Sequence, residues 1–205
     1  MSLSPWFDQL TSTGQPVRDV RRFLKAVGRL DTLRHVSRVA AMGRQLARRF
    51  GLPLAQSDLA CIAHDLAAVI PAREILGVAE ALGVPLGDAD RAIPQVVHGP
   101  VAAVVLRERL GVDDENVLNA VRYHTTLRAG ASPLEQLTFI ADKIAYDPTT
   151  PDVSFHPALV GAWQAGAALP NLCFIYLDWA VREGPRLGWR LHPHLLAAHA
   201  ELKVG

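Results

Sequence analysis

This sequence predicts an all-α fold, and three observations carry the prediction. Alanine and leucine dominate a chain of 205 residues that is 50% apolar but 6% aromatic, a composition suited to closely packed helices. Apolar residues recur at steps of three and four along most segments, the repeat of a helix with one buried face. Proline, glycine and aspartate fall where those segments begin and end, and no stretch demands the alternation of a strand. A chain of this length favours one domain and buries roughly 70% of its unfolded surface, so a real core is expected.

After a Pro/Gly-bearing leader over residues 1–16, Val17 to Leu30 is expected to form a first helix, and Asp31 or Thr32 to cap the next. In that second helix His35, Val39, Met42, Leu46 and Phe50 alternate four and three apart and stop at Gly51, which sets His35 on the buried stripe. Pro53 and Ser57 open a third helix whose apolar positions Leu59, Ile62, Ala63 and Leu66 surround His64 and Asp65, with Pro71 closing the stretch. A shorter helix is expected from Ala72 to Leu82, followed by the turn-rich VPLGDADRAIP. His98 comes just ahead of a helix from Pro100 to Leu110, where proline suits the first position.

Asp113 or Asp114 caps the following helix, on which Val117, Val121 and His124 share a face. Pro133 begins another, with Leu134, Leu137, Ala141 and Ile144 inside and Asp142 at the edge of that face. PTTPDVSFHP, beyond Asp147, is expected as a loop. Two covering helices, Ala158 to Ala168 and Asn171 to Glu183, precede a short last one from about Pro193 to Leu202. His192, His194 and His199 lie near that polar terminus and are expected at the surface. The domain expectation is a body over 17–185 and a tail or short helix over 186–205.

A net charge of +1 argues against a general binder of nucleic-acid polymers. The charge is uneven, since residues 1–50 hold ten Lys and Arg against three Asp and the rest of the chain carries −6. A solvated arginine face on amphipathic helices accounts for this, and a positive rim attracting phosphate is the sharper alternative. Cys61 and Cys173 are the two cysteines; both sit in apolar stretches outside any CxxC pair and are expected as buried free thiols. The first residues lack a charged start followed by an apolar run, and no apolar stretch reaches the roughly 18 residues of a membrane helix. A soluble cytoplasmic protein with no membrane partner is expected.

Six side chains of metal-ligand type stand out: His35, the adjacent His64 and Asp65, His98, His124 and Asp142. An inward histidine on its own is ordinarily a hydrogen-bonded core residue. Neighbouring helix positions point about 100° apart, so His64 and Asp65 reach different edges of one cation pair. Four imidazoles and two carboxylates hidden in a core without a cation would leave many polar atoms to satisfy. The mixed nitrogen and oxygen set suits iron, manganese or zinc.

The order His, then HD, then two single His, then Asp resembles the HD-domain metal-dependent phosphohydrolases. HGP at 98–100, RYHTTLRAG at 122–130 and ADKI at 141–144 resemble, within them, the bacterial YqeK group of symmetrical bis(5′-nucleosyl)-tetraphosphatases. The resemblance covers roughly residues 17–185. It implies an HD-domain helical bundle with a buried dimetal site of two divalent or mixed-valence ions, iron ahead of manganese or zinc. It further implies that His35, His64, Asp65 and Asp142 hold one ion, with Asp65 bridging to a second on His98 and His124, and that Thr125 and Arg128 face phosphate. The implied activity cuts diadenosine tetraphosphate symmetrically into two ADP, with a nucleotide or dinucleoside polyphosphate as partner.

The chain departs from the group at Ala68, where lysine is usual, and at Ala145 and Pro148, where acidic and basic residues are expected. Arg38, Lys143 and Arg73 are candidate substitutes for the lost phosphate contact. Asp65 is the expected catalytic residue, orienting a water for in-line attack on phosphorus. Two alternatives remain open at this point: the same centre acting on another nucleotide or phosphoester, and a nucleotide-binding regulatory protein with slow turnover.

Overall fold

A computed structural model describes residues 5–146 and 154–203. Eleven α-helices and short 3-10 turns make up the described residues, with no strand among them. The helices are α1 (Pro16–Ala26), α2 (Leu30–Phe50), α3 (Leu54–Ala63), α4 (Ile75–Ala81), α5 (Asp88–Ala92), α6 (His98–Leu110), α7 (Glu115–Arg122), α8 (Pro133–Ile144), α9 (His156–Ala165), α10 (Leu169–Glu183) and α11 (Pro193–Lys203). The loop expected after Asp147 has its residues 147–153, Pro148 included, outside the described residues.

The 21-residue α2 is the axis of the bundle, packed chiefly on α3 and α8, while α7 closes against α3, α6 and α8. Its buried stripe, Val36, Val39, Ala40, Gly43, Leu46 and Ala47, keeps small residues where α3 approaches. A side chain on Gly43 would meet the Cys61 sulfur at 2.5 Å. Gly99 does the same for α6, where an added Cβ would stand 2.7 Å from the Arg122 carbonyl oxygen and 3.0 Å from that of Val121. That close approach brings the start of α6, with His98, to the end of α7, with His124.

Helix ends follow local chemistry. Gly51 ends α2 in the left-handed conformation expected of it (φ 67°). The Asp114 carboxylate accepts the amides of Asn116 and Val117 to start α7. Ser132 and Glu135 form a reciprocal capping box on α8, with Pro133 in its first turn. Several boundaries differ from expectation: α4 begins at Ile75 rather than Ala72, α5 occupies part of the stretch expected as turn, α9 runs over His156–Ala165 rather than Ala158–Ala168, and α10 begins at Leu169 rather than Asn171. The first helix stops at Ala26 rather than Leu30, because Gly28 turns left-handed (φ 73°). Neither Asp31 nor Thr32 caps α2, which begins at Leu30 and leaves Asp31 in its first turn, ion-paired to Arg34 at 2.7 Å. His98 is the first residue of α6 rather than lying ahead of it.

Residues 5–15, expected as a leader, give Phe7 and Leu10 to the core, and Phe7 packs 5.9 Å from the Phe23 ring. The buried Asp19 carboxylate accepts the amide and hydroxyl of Thr13, fastening this segment to α1. At the other end α11 packs on α10 and buries Leu195 and Ala198. Both cysteines are free and buried, and burial pushes the Cys61 thiol up to about 12. No helix of the described residues is long and apolar enough to cross a membrane.

Gly99→Ala is expected to force α6 away from α7 at a cost of about 2 kcal/mol. For a chain of this size that is a fall in Tm of roughly 4–8 °C in a thermal scan.

Candidate metal centre

Side chains from five helices meet at one point. His35 comes from the second turn of α2, His64 and Asp65 from the turn leaving α3, His98 from the start of α6, His124 from the turn after α7, and Asp142 from the end of α8. The Nε2 atoms of His35 and His64 lie 3.2 Å apart, and those of His98 and His124 lie 3.0 Å apart.

Asp65 stands between these pairs. Its Oδ1 is 3.1 Å from His98 Nε2 and 3.7 Å from His124 Nε2, while its Oδ2 is 3.5 Å from His64 Nε2 and 3.6 Å from His35 Nε2. The Oδ1 of Asp142 adds a contact of 3.0 Å to His35 and 3.7 Å to His64.

The proton positions on three rings are dictated by backbone. Nδ1 of His64, His98 and His124 lies 2.8, 2.6 and 2.8 Å from the carbonyl oxygen three residues earlier, on Cys61, Gln95 and Val121. A carbonyl only accepts, so each Nδ1 donates, and the neutral ring presents a bare lone pair at Nε2. For His64 and His124 those carbonyls belong to last helical turns, which lack intrahelical partners.

Lone pairs facing one another at such distances repel, and a proton between two rings relieves one pair only. A cation takes donors from all of them. His35, His64 and Asp142 form one group that could hold a metal ion, and His64, Asp65 and His124 a second, with ligand atoms within 4.8 Å of one another in each. Neutral imidazole with carboxylate is a donor set that iron, manganese and zinc accept.

The electrostatics agree. Burial pushes His124 well below 6.5, and the charges of His98 and His64 push it further. Burial also opposes charge on His35 and His98, but hydrogen bonds and charges from Asp142 and Asp65 respectively outweigh it and raise both. Burial works against the Asp65 carboxylate as well, yet the surrounding histidines hold it well below the usual carboxylate range. Asp142 is likewise held low against burial, chiefly by Lys143. The Lys143 ammonium is 2.6 Å from Asp142 Oδ2 and lies over the Phe139 and Tyr176 rings, so it orients the carboxylate whose other oxygen faces the histidines.

The centre forms the floor of a cavity of about 1000 Å³ that Arg38, Thr125 and Lys143 also line. The Thr125 hydroxyl is 3.1 Å from His124 Nε2. Arg38 is exposed and forms no ion pair among the described residues, whereas the exposed Arg73 pairs with Glu74 at 3.3 Å, away from the cavity. Arg128, expected to face phosphate, is placed elsewhere. Its Nε and Nη2 donate to the buried Glu135 at 2.7 and 2.9 Å, its guanidinium covers the Tyr123 ring, and it does not line the cavity. The fork of bonds satisfies a carboxylate that burial would otherwise penalise. Ala68 is exposed on a 3-10 turn, also away from the cavity.

Part of the wall was not anticipated from sequence. Phe155, Tyr176, Trp189, Arg190 and His192 line it from beyond α8. His192 is 6% exposed, contrary to the surface placement expected of it. His194 is exposed beside the Tyr123 ring, and His199 hydrogen-bonds Asp178 at 3.2 Å. The one available signal was that a chain poor in aromatics places Tyr176, Trp179 and Trp189 close together.

The HD domain family matches residues 32–147, more than half of the chain and every member of the cluster. The chain belongs to the HD-domain family. This HD domain is therefore a metal-dependent hydrolase. It is 30% identical to an uncharacterised protein encoded in the pepC 5′ region of Lactococcus lactis subsp. cremoris, over 72% of this chain and 73% of that one. It is 34% identical to a symmetrical bis(5′-nucleosyl)-tetraphosphatase of Bacillus subtilis, over 58% of this chain and 65% of that protein, just under two thirds of its length. The crystal structure of a predicted HD superfamily hydrolase involved in NAD metabolism, from Clostridium acetobutylicum, superposes with a TM-score of 0.82 at 26% identity, covering 91% of this chain and 96% of the other.

Two outcomes are expected of the HD domain. Metal must displace protons from His35 and His98, whose values lie above 6.5, so uptake followed by calorimetry should weaken as pH falls from about 8 to about 6. Arg128→Ala should cost about 2 kcal/mol in urea denaturation by leaving Glu135 buried and unpaired, and pairing it with Glu135→Leu should recover part of the loss.

Proposed function

We propose that this HD domain hydrolyses dinucleoside polyphosphates, cutting diadenosine tetraphosphate symmetrically into two ADP. The observation that carries the reading is Asp65, whose two oxygens divide between the His98/His124 and His35/His64 pairs at the floor of a cavity large enough for a nucleotide. The name borne by the Bacillus subtilis relative supports the substrate.

In this reading His35, His64, Asp65 and Asp142 would hold one ion, and His98, His124 and Asp65 a second. Two such ions, iron foremost with manganese or zinc as substitutes, lower the pKa of water and neutralise charge growing on phosphoryl oxygens. The chain's own residues supply position. Asp65, ionised throughout the neutral range, would accept a hydrogen bond from the attacking water and aim it in line with the scissile bond. Thr125 offers its hydroxyl to a phosphoryl oxygen at the same wall. Arg38, free of any ion pair among the described residues, meets the polyphosphate at the cavity edge. Lys143 keeps Asp142 turned toward the histidines and offsets its charge as the anionic substrate arrives. Arg128 acts through Glu135, holding the turn that carries His124 and Thr125.

Asp65→Ala is expected to lose bound metal by elemental analysis and to lower turnover of diadenosine tetraphosphate by at least about a thousandfold, given that both binding pairs lose their shared carboxylate. Chromatography of the wild-type products decides the substrate: two equivalents of ADP support the reading, and AMP with ATP would overturn it. Full activity in Asp65→Ala would reject the mechanism.

A further inference from the structure

The cavity lining combines two kinds of chemistry, with Arg190 and His192 set among its apolar residues. Histidines, carboxylates, Thr125 and Lys143 form the floor, while Ile93, Val96, Phe155, Trp189 and Leu195 form an apolar wall. A polyphosphate chain carries charge along its whole length and gains nothing from an apolar wall, which strips its hydration without replacing it. A nucleobase has two flat faces that such a wall accepts.

Trp189 is the residue suited to receive one. It is 42% exposed, unusual for so large an apolar side chain, and it lines the same cavity as His35 and His98. The indole is held in place from behind. Its amide donates to the Gly184 carbonyl at 2.8 Å, and its ring meets Trp179 edge to face at 5.5 Å. A Cβ on Gly184 would stand 3.3 Å from Trp189 Cε3, so the ring rests on bare backbone there.

A second observation stands beside it. His192 is 6% exposed and lines the cavity, and its Nδ1 accepts the His194 amide at 3.1 Å. A neutral ring that accepts at Nδ1 carries its proton on Nε2. That buried Nε2 faces the Asp90 carboxylate, whose Oδ1 lies 3.5 Å away. The imidazole is thereby fixed where it lines the cavity.

We propose that Trp189 is the stacking platform for a nucleobase, so that the site takes nucleotides in preference to base-free polyphosphates or simple phosphoesters. Trp189 lies beyond residues 32–147 that match the HD domain, and the proposal rests on the nucleotide-hydrolase reading above.

The test uses the full chain loaded with manganese, as wild type, Trp189→Ala and Trp189→Phe, with circular dichroism to check folding. Binding of ADP and of pyrophosphate is measured by calorimetry, and quenching of tryptophan fluorescence by ADP is recorded alongside. Trp189→Ala is expected to weaken ADP by at least about fivefold and to leave pyrophosphate within about twofold, because only ADP carries a base. Trp189→Phe should keep ADP within about threefold of wild type, since a phenyl ring still stacks. It should nonetheless lose the quenching, which identifies Trp189 among the four tryptophans as the residue in contact.

Equal ADP affinity in wild type and Trp189→Ala, or an equal loss for pyrophosphate, overturns the proposal. Should the alanine variant not fold, retained quenching in Trp189→Phe overturns it alone. Wild type that binds ADP through Trp189 without cleaving diadenosine tetraphosphate would overturn the reaction assignment and leave the stacking subsite standing. Cleavage to two ADP with Trp189 silent would do the reverse.

Discussion

The crowding of bare imidazole nitrogens at one point is the constraint on which the rest depends. Three of the rings are locked by the same device, an Nδ1–H given to the carbonyl three residues back. That bond leaves no freedom for Nε2 to become a donor while the ring is neutral, so the helices bring together lone pairs that need a cation. The small residues Gly43 and Gly99 answer the same need, since α2, α3, α6 and α7 must approach closely for the rings to meet.

Charge is distributed to serve this centre. Part of the basic excess of the first fifty residues ties elements together: Arg21 donates to Ser37, Arg44 binds Asp58, Arg29 donates to the Val69 carbonyl and Arg49 to that of Trp163. Arg38 is the member of that group that lines the cavity. Lys143 and Arg190 are further cations in its lining, and Lys143, buried beside Asp142, is fixed by that partner as a support for the carboxylate. Thus the solvated or helix-pairing reading accounts for most of the arginines, and the phosphate-attracting reading survives for one.

The HD match and the cavity do not coincide. Residues 32–147 contribute the whole floor, whereas Phe155, Tyr176, Trp189 and His192 come from later helices and turns. The aromatic part of the wall thus comes from outside the matched residues, while Ile93 and Val96 come from within them. Tyr176 joins the two, since its ring underlies the Lys143 ammonium that orients Asp142.

By itself the sequence determined the helices and the identity of the six polar residues. Helical periodicity, Gly51 and Asp114 are local signals, and a buried histidine or aspartate is conspicuous in a leucine and alanine core. Helix ends were less legible at Gly28 and Asp31, where a left-handed turn and a first-turn ion pair prevailed over the expected cap. The pairing of rings and the split of Asp65 were implied by the family resemblance and not by any local spacing, whereas tertiary structure alone decided the partner of Arg128, a glutamate seven residues on that no spacing rule singles out. It also moved His192 from an expected surface position to a cavity wall. The physical reason is that a side chain's neighbours are set by how helices pack across the whole chain, and that information is absent from any local window of residues.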